Sequence, residues 1–159
     1  MRKKRRRLVA VAVLGLLAVA CIYLFRGIPT VAANAMRNAE TFELLSLDPE
    51  IRPDDADFHR FKVLGRTVVT EAATRKRLYR ALQSGARWNL PLQALCFIPR
   101  HGIRATAGGA TVDLVICFEC SQVRVWQGEN DVTTFIVGQS PERVFEEVLR
   151  DAGVPLAPK

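Results

Sequence analysis

The sequence predicts an α+β fold, in which an N-terminal transmembrane helix leads into a small antiparallel sheet with two helices packed on one face. Three observations point there. An uncharged apolar run of eighteen residues, 8–25, stands near the start. Period-two alternation dominates from residue 94 onward. Two helix-spaced stretches, 71–84 and one opening at Pro141, are set among the strands rather than alternating with them, which is the α+β arrangement.

The apolar run comes first. As a helix rising about 1.5 Å per residue it spans about 27 Å, close to the hydrocarbon thickness of a bilayer. Six cations, Arg2 to Arg7, precede it and Arg26 follows. The positive-inside rule then keeps the basic end in the cytoplasm and sends the remainder across. The expected organisation is a cytoplasmic basic tail over 1–7, a single-pass signal anchor over 8–25, a linker over 26–40, and an extracytoplasmic domain over 41–159. Two other fates remain open. The segment Leu17-Ala18-Val19-Ala20-Cys21 loosely resembles a lipoprotein box, with cleavage before Cys21, and Ala33-Asn34-Ala35 fits a small-x-small signal-peptidase site. Continued apolarity after Cys21 favours the anchor over lipidation. All three fates place the body outside the cytoplasm, and the bilayer is the partner expected through the helix.

Charge excludes one class of partner. The formal charge is +7, but Arg2 to Arg7 and Arg26 account for seven of the 23 basic residues, and no acid precedes Glu40. The rest of the chain carries sixteen basic and sixteen acidic side chains. A neutral body lacks the electrostatic footprint of a nucleic-acid binder, so no nucleic acid is expected.

Within the body, 27–38 is small, weakly polar and carries Pro29, as a linker does. Residues 41–48 read as a strand stopped by Pro49 and Pro53, and 49–60 as a charged loop. Residues 61–69 are a β-branched strand; Thr70 caps a helix over 71–84 that Gly85 ends. Leu78, Ala81 and Leu82 share its buried face, while Arg75, Lys76, Arg77 and Arg80 form a solvated one or meet anionic lipid heads or an acidic partner. Strands are expected over 94–98, 103–107, 111–126 and 132–137, with a turn at Gly108-Gly109 and another over 127–131. Ser140 and Pro141 start the last helix, whose stripe is Val144, Phe145, Val148 and Leu149. In 111–126 the apolar parity changes between Phe118 and Gln122, which a β-bulge would explain.

Cysteines carry the chemical expectation. Cys117 and Cys120 form a CxxC at the parity change, and Cys96 with His101 forms a Cx4H pair. Three cysteines and a histidine are a tetrahedral zinc complement, so Cys96, His101, Cys117 and Cys120 are the candidate metal ligands. A direct Cys117–Cys120 bridge requires a real turn, because residues three apart in a strand are about 10 Å apart. A bridge from Cys96 to Cys117 or Cys120, buried free thiols, and a reactive thiol are the alternatives. Enzymatic readings are weaker. A His101 base oriented by Glu119 needs a register the sequence does not fix, and the CxxC lies in a strand rather than at the helix start of a thioredoxin-like motif. Asp54, Asp55, Asp57 and His59 lack the glycine and terminal glutamate of an EF-hand and read as hydrated loop.

The segments CFIPRHGIRA (96–105) and VDLVICFECSQVRVW (112–126) resemble an uncharacterised family of small bacterial membrane-anchored or exported proteins. The resemblance implies a bacterial envelope location and a recurring Cys/His grouping, and no activity. The function expected is therefore a small membrane-anchored binding or interaction module with a Cys/His structural metal site. Its alternatives are a thiol- or metal-dependent enzyme using the CxxC and His101, or an exported lipoprotein with a disulfide-stapled domain.

Overall fold

The computed structural model describes residues 13–15, 27–51, 57–88, 94 and 96–158 of the chain. The described residues of the body form a six-stranded antiparallel sheet with three helices. In chain order these are α1 (Thr30–Asn38), β1 (Thr41–Ile51), β2 (Phe61–Val68), α2 (Ala72–Arg87), β3 (His101–Ala107), β4 (Ala110–Cys117), β5 (Gln122–Gln127), β6 (Asn130–Ile136) and α3 (Glu142–Asp151). The strands lie in the order β2-β1-β3-β4-β5-β6. Strands β3 to β6 are the expected meander, and β1 enters beside β3 with β2 outside it.

The N-terminal transmembrane helix requires correction. Among the described residues no helix is long and apolar enough to cross a membrane. The longest, α2, has 16 residues and carries five arginines and lysines, so it is amphipathic rather than lipid-compatible. Of 8–25, only 13–15 are described, as helix, and the rest of that run lies outside the described residues. The single-pass, signal-anchored description is accordingly dropped.

Alternation along the strands sorts the side chains onto two faces. Leu44, Ile103, Leu114 and Val125 are successive cross-strand partners, and all four are fully buried. They lie under the helices with Phe42, Val123, Leu78, Leu82, Phe145 and Leu149 in the main core. Each such side chain contributes about 2 kcal/mol of transfer free energy. The opposite face carries a smaller cluster of Leu45, Leu47, Phe58, Phe61 and Val115. No helix covers it.

Several local expectations change. The stretch read as a linker is α1, whose Ala32, Ala33, Ala35 and Met36 are buried against the sheet and α2. Small alanines let it lie close, which is why its composition resembles a tether. Gly85 is inside α2 rather than after it. An added Cβ there would sit 2.5 Å from the Pro141 ring, so the residue serves the contact between α2 and the start of α3. Strand β1 continues through Pro49 to Ile51, and the described residues of 94–100 are not strand. The expected long strand 111–126 is a hairpin, with Cys117 paired to Gln122 across a turn over 118–121. Ser121 takes a φ of 57° in that turn. The parity change is the turn itself. A bulge does occur in the β5–β6 pairing, on β6: Val125 pairs with Thr133 and Trp126 with Asp131, leaving Val132 as the extra residue.

Candidate functional site

The open face holds one row of directly paired residues running through five strands: Glu43, Arg104, Asp113, Trp126 and Asp131. Strand alternation alone puts them on the side away from the helices. At the centre of the row, Asp113 is buried, and a buried carboxylate persists only when its oxygens are satisfied. Arg104 donates from Nε to Oδ1 at 2.9 Å and from Nη2 to Oδ2 at 2.8 Å, the two-pronged arrangement its planar head favours. His59 adds a third contact, Nε2 to Oδ2 at 2.7 Å. Side-chain exposure is 5% for Asp113 and 7% for His59, so the pair is shielded from water.

Burial pushes the Asp113 carboxyl up, but hydrogen bonds from Arg104 and His59, with their charges, outweigh it and hold the group below the usual carboxylate range. The hydrogen bond to Asp113 in turn raises Arg104 above its ordinary value.

A tight turn brings His59 there. Phe58 and Phe61 exchange both backbone hydrogen bonds at 3.0 Å, leaving His59 and Arg60 as a two-residue loop with φ of 48° and 76°. Both angles are left-handed, as in a type I′ turn, where Asn-Gly is the comfortable pair. A histidine and an arginine in this conformation cost about 1 kcal/mol or more each. What holds them is the packing on either side. The His59 ring stacks on Trp126 with centroids 4.5 Å apart and planes 21° apart, and Phe58 meets it edge-on at 4.9 Å. Phe58 itself lies on the sheet over Gly102, where a Cβ would come within 2.9 Å of its ring. The Arg104 guanidinium covers the other aromatic surface of Phe58 at 5.1 Å.

Beside this turn is a cleft of about 440 Å³. Val115 forms part of its floor, Phe61, Phe97 and Trp126 supply aromatic wall, and His59, Arg60 and Arg124 bring donors to it beside a single carboxylate, Asp131. Arg124 lies 4.1 Å from the Phe97 centroid, a cation–π contact that leaves the edge of its guanidinium for other partners. The buried Trp126 Nε1 has no hydrogen-bond partner among the described residues. Such a donor awaits an acceptor. The cleft thus places aromatic faces and cationic donors side by side.

The four cysteine and histidine positions fall elsewhere. Cys117 and Cys120 are joined by a disulfide with Cα atoms 5.2 Å apart, across the turn such a bridge requires. Cys96 is an exposed free thiol. His101 is buried on the helix side, with its ring 5.3 Å from that of Phe118 and 5.9 Å from that of Phe145. The backbone N–H groups of Ala94 and Ile98 reach the Cys120 carbonyl and Sγ, each at 3.2 Å, so the segment around Cys96 lies against the disulfide. Glu119, considered as an orienter for His101, pairs with Arg100 at 2.6 Å. Among the described residues no group of three or more His, Cys, Asp or Glu side chains is placed to hold a metal ion. Of the acidic loop, Asp54 and Asp55 lie outside the described residues, and Asp57 accepts from the Val63 backbone at 3.3 Å.

Sequence reasoning passed over Arg104 and Asp113. A signal was present, since each is the one charged residue of its strand, HGIRATA and ATVDLVIC.

No protein-family model matches the chain, and no curated protein matches it. Among solved structures, the crystal structure of a protein described as a candidate lipoprotein from Clostridium perfringens is 13% identical with a TM-score of 0.46, covering 75% of this chain and 90% of its own. That likeness is too slight to carry any property across.

Proposed function

We propose that the chain is an exported protein tethered by a lipid on Cys21, whose disulfide-stapled domain binds a planar, acidic small molecule in the cleft beside the His59–Arg60 turn. The tether is supported by sequence: a basic start, an apolar run, and Leu17-Ala18-Val19-Ala20-Cys21 in the second half of that run, with 17–21 outside the described residues. The Cys117–Cys120 bridge supports export, because such bonds persist in oxidising compartments.

The observation that carries the binding reading is the strained turn. Two residues with side chains hold a backbone that glycine would take freely, and the side chains they present are those that line the cleft. Zinc on Cys96, His101, Cys117 and Cys120 is a second reading, for which only reduction of the bridge would free the sulfurs.

Two measurements test the proposal. Metabolic labelling with a fatty-acid analogue is expected to mark the wild type and leave Cys21→Ser unmarked; an unlabelled wild type removes the tether. Titration with a panel of aromatic carboxylates is expected to change Trp126 fluorescence, with the change weakened about tenfold by Arg124→Ala. A panel in which no member binds, or binds Arg124→Ala equally, removes the cleft assignment.

A further inference from the structure

A second cavity, of about 440 Å³, lies on the other side of the sheet between α1 and α2, and its lining is of one sign. Four cations face it, Arg37 from α1 and Arg75, Lys76 and Arg80 from α2, around an apolar base that includes Met36 and the Tyr79 ring. Among the described residues no acidic side chain lines it. The gathering is selective. Arg77 belongs to the same run of basic residues on α2 but is drawn away to Glu147 on α3.

The fold fixes part of this set. Arg37 donates to the Ala33 carbonyl at 3.1 Å and to Asn34 Oδ1 at 3.0 Å, and its guanidinium lies 5.7 Å over Tyr79. Arg75 bridges the ends of two elements, donating to the carbonyls of Ala39 and Thr70 at 2.8 and 2.9 Å. Its Nε is buried with no partner among the described residues. Lys76 and Arg80 are exposed at the rim, and neither has an ion-pair partner among the described residues. Two cations are thus held by backbone and side-chain acceptors, and two are left to close on something else. Four like charges around one concavity repel unless an anion enters.

We infer that this pocket binds a phosphoryl group, carried on a soluble phosphate ester or on a phospholipid head. Multiple charge and several acceptor oxygens match converging guanidinium and ammonium donors. The apolar base accommodates the carbon skeleton that bears the phosphate. The inference is independent of the open-face cleft, which lies across the sheet.

The test uses the full chain in an uncharged detergent, titrated calorimetrically with inorganic phosphate, glycerol phosphate and a short-chain phosphatidylglycerol below its micelle concentration. Saturable binding is expected, weakened about tenfold by Lys76→Gln and by Arg80→Gln. Arg77→Gln removes the same charge from the same helix outside the pocket and is expected to change affinity less than about twofold. Glycerol phosphate binding as tightly as the lipid identifies a soluble ester; a clear preference for the lipid identifies a membrane head. Binding by none of the three probes, or an equal loss in Arg77→Gln, overturns the assignment. The substituted side chains are at the surface, and melting curves matching wild type establish that the fold is retained.

Discussion

Two hairpin loops of this protein adopt nearly the same backbone from opposite kinds of sequence. Between β3 and β4, Gly108 and Gly109 turn the chain with φ of 58° and 78°. Before β2, His59 and Arg60 do so at 48° and 76°. The first loop uses residues for which a left-handed backbone costs nothing, and nothing lies within 4 Å of where their Cβ atoms would be. The second accepts a conformational penalty and is held down by Asp113, Trp126 and Phe58. One loop serves folding alone. The other gives up stability to present particular side chains, the pattern expected where function sets the sequence.

Breaking the hold on the second loop has the largest expected effect. Asp113→Ala leaves Arg104 and His59 without their shared acceptor, and is expected to lower unfolding free energy by about 3 kcal/mol in denaturant titrations. A change below about 0.5 kcal/mol, the ordinary range for surface substitutions, would mean that the network does not brace the turn. The same group gives a pH signature. Its folded carboxyl titrates below the usual range, so its stabilisation is complete above the unfolded value and disappears as pH falls through the folded one. Wild type is therefore expected to lose stability on acidification more steeply than Asp113→Asn, measured by melting temperature from neutral pH downward. Parallel curves would remove Asp113 from the account.

The loops can then be exchanged. Gly109→Ala forces a side chain into the left-handed region and is expected to cost about 1 kcal/mol. Arg60→Gly does the reverse and is expected to raise stability by somewhat less than about 1 kcal/mol, because the added freedom of the unfolded chain offsets part of the relief. It is also expected to weaken ligand binding. If Arg60→Gly destabilises, the strain is absent and the contrast between the loops fails.

Much of the sheet was legible because alternation is a local property. The Gly-Gly turn, the strands on either side and the stripe of α3 could all be read from neighbouring residues. The helix α1 was not legible, since alanines that suit a linker also suit a close helix–sheet contact. The parity change at 118–121 was legible as an irregularity, yet bulge and turn differ only in where the following strand pairs, which is a long-range fact. The candidate site was hidden for the same reason. His59 and Asp113 are fifty-four residues apart, and only strand order and register bring them to a 2.7 Å contact. Reading Cys96, His101, Cys117 and Cys120 as one set missed both the Cys117–Cys120 bridge and its separation from His101, because the turn that closes the bridge and the face of β3 that looks toward the helices are fixed by strand pairing rather than by local sequence.

The line of partners from Glu43 to Asp131 draws one residue from each of five strands. A slip of a single position at any of the four seams would turn one strand's contribution to the far side and take the row apart. The contacts around Asp113 therefore form only when its strands are in register, so their presence reports that this part of the sheet is correctly assembled.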